Sequence, residues 1–371
     1  MAKEATSKKD AQSRIKELEE ELRKTPYNKR TQHHIGLIKA QIAKLREKQE
    51  RQGKGKGKHE GYSIRKTGDG TVVLVGFPSS GKSTLLNKIT KTESRTGNYD
   101  FTTLNVVPGL LEYRHAKIQV LDVPGIVRGA ASGKGRGKEV ISVIRNADLI
   151  VVLIDATQPK QLKFLKKELF DAGIRMNEKK PDVKITRTSK NGIVIGTTKK
   201  LTRLSKETIK GIMKEFKIIN ADVVIRDNIT DDQLIDCIEG NRAYIKGVIV
   251  VNKIDLLDKE RLDEVKKMLK PDLVISAEHE IGVEELKELI FERLDLIRIY
   301  LKQPGKPADL KEPLIMFKSC TVEDVCNKLH KDFVRKFRFC RVWGKSSKFD
   351  GQRFNLKHIL ADEDILEIHL S

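Results

Sequence analysis

The chain has 371 residues, 38% hydrophobic and 34% charged, and its 73 lysines and arginines against 52 aspartates and glutamates leave a formal charge of +21. That length exceeds one small core and predicts two to three folded units, while the charge favours an anionic partner such as nucleic acid or a ribonucleoprotein surface. No run approaches the ~18 apolar residues of a membrane span, and the polar start MAKEATSKKD lacks a signal-peptide core, so a cytoplasmic protein without a membrane partner is expected.

Residues 1–67 read as a basic helical hairpin and linker. Ile15, Leu18 and Leu22 fall at helical spacing, as do Ile35, Ile38, Ile42 and Leu45. Thr25-Pro26-Tyr27-Asn28 between them reads as a turn. The run GKGKGKHEG at 53–61 reads as a flexible basic linker. This segment holds 19 basic and 9 acidic residues, so nearly half of the net charge sits in under a fifth of the chain.

From Thr71 onward strands and helices alternate. TVVLVG, KIQVLDV, DLIVVLID and GVIVVNKID are short runs rich in valine and isoleucine. They predict strands buried on both faces of a parallel sheet, with EVISVIRNA and VEELKELIFERL as covering helices. The expectation is a doubly wound α/β domain in two parts, 68–172 and 241–298. The interval between Asp155 and Gly247 far exceeds a crossover helix. Within it GIVIGTT and ADVVI read as strands and ETIKGIMKEF as a helix. Residues 173–240 therefore read as an inserted small α+β subdomain, with 12 basic and 4 acidic residues from Arg175 to Glu215.

Residues 299–371 change character again. PLIMFK, FCRVWG and DILEIHLS read as strands, and TVEDVCNKLHKDFVRKF as one helix opened by Thr321 with Asp324 three residues on. A strand-rich module around a helix predicts a β-grasp fold. Lys331 to Arg353 holds 8 basic and 2 acidic residues. Cys237, Cys320, Cys326 and Cys340 form no CxxC and read as free thiols in a reducing compartment.

Gly76-Phe77-Pro78-Ser79-Ser80-Gly81-Lys82-Ser83 fits the phosphate loop GxxxxGK(S/T), set between a strand and a helix that continues with Thr84. Glycines let backbone N–H groups converge on phosphate oxygens, and the following helix adds its positive end. Lys82 is expected to reach the β- and γ-phosphates and Ser83 to ligate Mg²⁺. Asp122-Val-Pro-Gly125 ends the next strand. A carboxylate there holds Mg²⁺ through water, and the Gly125 N–H senses a γ-phosphate. Asn252-Lys253-Ile254-Asp255 ends a third strand. A carboxylate at Asp255 accepts from the ring N1–H and the 2-amino group of guanine, donors that adenine lacks. The Asn252 amide serves the base and ties loops together, and the Lys253 stem covers the ring. Ser276-Ala277, after DLVIS, offers backbone N–H groups to the guanine carbonyl. In Asp100-Phe101-Thr102-Thr103, one threonine closes on Mg²⁺ when the γ-phosphate is present, giving an ordered state with GTP and a loose one with GDP.

These stretches resemble the developmentally regulated GTP-binding proteins of the Obg GTPase superfamily. The likeness rests on GFPSSGKSTLLNKIT, YDFTTLNVVPG, DVPGIVRGAASGKGRGKEVISVIRNADLI and NKID, and continues through GIRMNEKKPD to RVWGKSSKFDGQR. It covers nearly the whole chain. It implies a helical amino-terminal region, a GTPase domain, an insert like domain 2 of ribosomal protein S5, and a carboxyl-terminal TGS domain. It also implies Mg²⁺-dependent GTP hydrolysis, work on translating ribosomes or ribosomal RNA, and in some members a dedicated partner protein. The second threonine, Thr103, takes the family's Mg²⁺ role. Two departures matter. Where Ras-like enzymes orient water with glutamine, this chain has Ile126, so slow intrinsic hydrolysis raised by a partner, a ribosomal surface or a monovalent cation is expected. Where some relatives bind potassium through asparagine, this chain has Ser79, which leaves K⁺ open as a cofactor. Three rivals stand beside this reading. NKID speaks against an ATPase motor or nucleotide kinase. Ile126 keeps alive an RNA-binding protein that uses GTP only structurally. A membrane-associated GTPase lacks a lipidation motif.

Overall fold

The computed structural model describes residues 2–28, 30–52, 68–90, 106–124 and 137–371. The expected basic linker, Thr102, Thr103, Gly125 and Ile126 lie outside these residues. The chain divides into two compact units, Met1–Gly61 with Lys179–Ala243, and Tyr62–Glu178 with Tyr244–Ser371.

The larger unit is built on a seven-stranded sheet. Its main path runs Leu273–Val274, Ala243–Asn252, Leu149–Asp155, Gly70–Val75, Ala116–Asp122, Val107–Tyr113. Every pairing on this path is parallel except the last. Gly70–Val75 and Leu149–Asp155 are buried at all positions, as their apolar sequences demand when both faces are covered. The helix Lys82–Ile89 buries Leu85, Leu86 and Ile89 in the same core as Val72, Leu74, Val151 and Val250. The chain leaves Gly70–Val75 toward one side of the sheet and later returns to its other side at Leu149–Asp155. That reversal puts a crevice at the carboxyl ends of these two strands, where open α/β sheets take their ligands.

One short strand, Ile174–Met176, also joins this sheet by pairing with Ala243–Asn252. Asn177 secures it, its side-chain amide donating to the Gly247 carbonyl at 2.8 Å and accepting from the Gly247 N–H at 2.8 Å. Residues 173–178, counted with the insert on sequence, thus belong to the large sheet, because Ile174 finds apolar cover there (1% exposed).

The carboxyl-terminal sheet has five strands, ordered Leu314–Phe317, Leu296–Lys302, Asp364–Leu370, Phe337–Trp343, Gln352–Phe354. Leu296–Lys302 and Asp364–Leu370 run parallel and the other pairs antiparallel. Ile299, Val325, Cys326, Cys340, Val342 and Leu366 form its core. Thr321 and Asp324 form the expected capping box. The single helix read from TVEDVCNKLHKDFVRKF is two, Val322–Leu329 and Lys331–Lys336. His330 stands extended between them and its side chain accepts from the Asp332 N–H at 3.2 Å, so it caps a second helix instead of continuing the first.

The smaller unit joins the helical hairpin to the insert. Helices Ala2–Lys24 and Gln32–Gln52 meet through Leu18, Ile38 and Ile42, with Ile15, Leu22 and Leu45 beside them. Asn28 builds the turn by accepting from the N–H groups of Arg30 and Thr31, each at 2.9 Å. The insert has a three-stranded sheet, ordered Val183–Arg187, Ala221–Ile225, Ile193–Thr197, and helices Lys206–Glu215 and Asp231–Glu239. Val183–Arg187 escaped the sequence reading because it offers only two apolar positions, Val183 and Ile185. Ala40 of the hairpin enters the insert's apolar core, and Lys39 pairs with Asp231 at 3.0 Å and Asp232 at 2.7 Å. Two mid-helix glycines permit the approach. A Cβ on Gly36 would lie 3.0 Å from Thr208 Cγ2, and one on Gly211 would lie 2.8 Å from His33 Cε1.

Candidate active site

The loop after Gly70–Val75 is shaped by two glycines that admit no side chain. A Cβ on Gly76 would lie 2.6 Å from the Leu153 carbonyl oxygen, and one on Gly81 would lie 2.3 Å from Asn252 Nδ2. Gly81 also has φ of +90°, in the left-handed region open to glycine. It caps the helix Lys82–Ile89 without a side-chain bond. Among the described residues, the N–H groups of Gly81, Lys82, Ser83 and Thr84 have no acceptor in the protein. Four such donors at a helix start form an anion site. Ser79, with φ of +63°, and Pro78 are exposed at the loop's outer turn, and Phe77 is half-buried. Ser80 is buried, and among the described residues its hydroxyl has no hydrogen-bond partner.

Lys82 folds back over this loop. Its ammonium donates to the carbonyls of Phe77 at 3.1 Å and Gly76 at 3.4 Å. Burial pushes its pKa below the ordinary value, against the opposing pull of Asp122. The Ser83 hydroxyl donates to Asp122 Oδ2 at 2.5 Å. That contact joins the helix start to the end of Ala116–Asp122, as the register Leu74 opposite Asp122 requires. Two hard oxygen donors side by side suit Mg²⁺, and free N–H groups above glycine suit a polyphosphate, so the residues present fit both.

The base-side loop is tied to the phosphate loop by one side chain. Asn252, 2% exposed, donates through Nδ2 to the Ser80 carbonyl at 3.0 Å and accepts at Oδ1 from the Ala277 N–H at 2.9 Å. Lys253 has φ of +65° and its ammonium reaches Asp155 Oδ2 at 2.7 Å. Asp155 also accepts from the Thr157 N–H at 2.9 Å and hydroxyl at 2.6 Å. Burial pushes the Asp155 carboxyl up, but Lys253 and Thr157 outweigh it and hold it below its ordinary range. The Ser276 hydroxyl donates to Asp255 Oδ1, which leaves Oδ2 with His279 Nε2 at 3.9 Å.

The two N–H groups assigned on sequence to a guanine carbonyl are both engaged here. That of Ser276 donates to the Ile281 carbonyl at 3.0 Å, and that of Ala277 to Asn252. The tight turn between 276 and 281 requires the first bond, and the brace to Asn252 requires the second. Asp155 and Thr157 were missed on sequence. The signal was the carboxylate ending LIVVLID, in register with Asn252. Thr103 and Gly125 are not among the described residues.

A model described as "50S ribosome-binding GTPase" matches residues 71–188, one described as "C-terminal region of MMR_HSR1 domain" matches 190–296, and a TGS domain model matches 297–370. An uncharacterized GTP-binding protein of Methanocaldococcus jannaschii is 54% identical over 358 residues, 95% of this chain and 91% of its own. Developmentally-regulated G-protein 3 of Arabidopsis thaliana is 44% identical, over 96% of this chain and 97% of its own. Developmentally-regulated GTP-binding protein 1 of Xenopus laevis is 43% identical, over 96% and 98%.

Proposed function

Because this chain belongs to the developmentally regulated GTP-binding protein family, and is a P-loop GTPase with a TGS domain, we propose a Mg²⁺-dependent switch that works on ribosomes or ribosomal RNA in the cytoplasm. The observation that carries the nucleotide half is Asn252, which binds the phosphate loop and the base loop into one frame. In that frame Gly76 to Thr84 receive the phosphates, and Lys82 exchanges its own loop carbonyls for phosphate oxygens. Ser83 and Asp122 would hold the metal, with Thr103 as the further ligand expected in the GTP state. The ion when bound draws charge from the phosphates. Gly125 reports the γ-phosphate. Asp255 selects guanine, oriented by Ser276, while Lys253 covers the base under the hold of Asp155.

The ribosomal half rests on charge and on the description of the matching GTPase model. The basic hairpin, insert and terminal module make the phosphate contacts. Such binding loses affinity steeply as salt rises. Residue 126 is isoleucine and brings no water-orienting side chain, so a ribosomal surface, a dedicated partner protein or potassium raises a slow intrinsic rate. Single-turnover hydrolysis faster in potassium than in sodium supports the cation; equal rates assign the task to the partner or the ribosome. Ribosome pelleting with GDP and with a non-hydrolysable GTP analogue tests the switch. The analogue is expected to raise the bound fraction, and equal pelleting in both states removes it.

A further inference from the structure

The face of the carboxyl-terminal sheet turned away from its core carries a pattern that packing does not explain. Ile299, Cys340, Val342 and Leu366 point inward. Alternation along each strand therefore sends Lys302, Phe339, Arg341, Trp343, Glu367 and His369 to the other face. The register places Phe339 opposite His369, Lys302 opposite Glu367, and Arg341 opposite both Glu367 and Arg353.

Three planar groups there are already stacked. The rings of Phe339 and His369 lie 4.2 Å apart at 17°, and the Arg353 guanidinium sits 4.5 Å above the Phe339 ring. Arg353 is exposed, and Phe339, Arg341 and His369 are half-buried. The Trp343 ring lies beside this row, with the Lys302 ammonium 4.0 Å from its centroid.

The charges are the second observation. Arg341 and Arg353 oppose each other across adjacent strands, and among the described residues neither has a carboxylate within ion-pair distance. Like charges directly opposite destabilise a sheet, so the fold gains nothing from this pair. Glu367, which also faces Arg341, is spent on Lys302 at 2.8 Å and His369 at 2.6 Å. Two uncompensated guanidiniums next to stacked aromatic planes match a ligand that brings phosphates and flat rings together.

We propose that this sheet face binds single-stranded RNA, with Arg341 and Arg353 on the phosphates and a base added to the Arg353–Phe339–His369 stack. The choice of RNA rests on the ribosomal reading above; the stacking surface does not. Duplex RNA hides its base faces and leaves phosphates, 2′-hydroxyls and base edges, so a site that stacks on a base discriminates against it.

The test uses the full chain, a labelled oligouridylate and its duplex with oligoadenylate. Trp343 is the chain's single tryptophan, so its fluorescence reports events on this face. The expected result is saturable single-strand binding that shifts Trp343 emission, at least tenfold tighter than duplex binding at equal salt. Arg341→Glu with Arg353→Glu is expected to weaken it at least tenfold, and Lys184→Glu, on a different sheet, less than twofold. Phe339→Ala is expected to weaken binding several-fold without changing its salt slope. Arg353→Lys keeps charge but loses the plane, so it separates stacking from electrostatics if Phe339→Ala fails to fold. Binding with unmoved Trp343 emission, equal affinity for duplex, displacement by polyglutamate at equal charge, or indifference to the double charge reversal each overturns the proposal. Ribosome pelleting of the same variants is read alongside. Oligonucleotide binding lost in the double variant while its pelleting stays native leaves this site standing and removes only its ribosomal use; pelleting lost while oligonucleotide binding stays native overturns this site and leaves the ribosomal reading.

Discussion

Asn252 Nδ2 lies 3.0 Å from the Ser80 carbonyl oxygen, so a residue of the base-side loop braces the phosphate loop from behind. Its other amide atom takes the Ala277 N–H. Asn252→Ala leaves two buried backbone groups unpaired, each costing about 1–3 kcal/mol. GTP affinity is expected to fall at least about tenfold on that basis. Asn252→Asp should do no better, because a carboxylate has no proton for Ser80. Isothermal titration with GDP reads both, and affinity within twofold of wild type would dismiss the brace.

The brace also explains Gly81. Any side chain there meets Asn252 Nδ2 at 2.3 Å and adopts an unfavourable φ of +90°. Gly81→Ala is expected to abolish measurable nucleotide binding while the circular dichroism spectrum stays native. Retained GDP affinity would show that the loop tolerates a shift.

Asp155 supports the base-side loop through Lys253. Its folded pKa is depressed, so its contribution is fully present above the unfolded value of 3.8 and is lost only as pH falls through the lower folded value. The Lys253 pair therefore stays intact from pH 8 to pH 5. Asp155→Ala is expected to weaken GDP binding by about fivefold, the worth of one net hydrogen bond, and by the same factor across that range. A defect that vanishes at pH 5 would contradict this assignment.

Asp255 is read as the guanine selector. Asp255→Asn should cost GTP roughly a thousandfold or more in kcat/KM, because one of guanine's two donors, the N1–H and the 2-amino group, then faces an amide donor in place of an acceptor. Xanthosine triphosphate, whose C2 carbonyl accepts, should become the better substrate. Ser276→Ala frees one carboxylate oxygen and should weaken GTP only several-fold. Competition between the two nucleotides measures the exchange, and unchanged preference would remove Asp255 from the site.

In the smaller unit, Gly211→Leu drives a side chain into His33 and Leu37. Such overpacking costs about 1–3 kcal/mol. Hydrogen exchange should then accelerate in Gln32–Gln52 and Lys206–Glu215 together, and unchanged protection would mean the helices repack freely.

Local order was legible where one period or one motif decided it. The fully apolar strands, the phosphate loop, the capping box at Thr321 and the turn that includes Asn28 all follow from residues within a few positions of each other. The break at His330 was not legible, because a histidine in a helical pattern reveals its capping bond only once folded. Nor was Asp155, which gains meaning from an ammonium 98 residues away.

The amino-acid order alone determined that this chain carries a phosphate loop, an Asn252-Lys253-Ile254-Asp255 motif at a strand end and several basic segments, since each is a local pattern of charge, apolarity and glycine. Tertiary structure decided which distant segments meet. It joined the hairpin to the insert through Gly36 and Gly211, and it spent the Ser276 and Ala277 N–H groups on bracing. It also set Arg341 against Arg353. These outcomes depend on strand register and helix crossing, where backbone polar groups and close-packed side chains must be satisfied across long sequence separations.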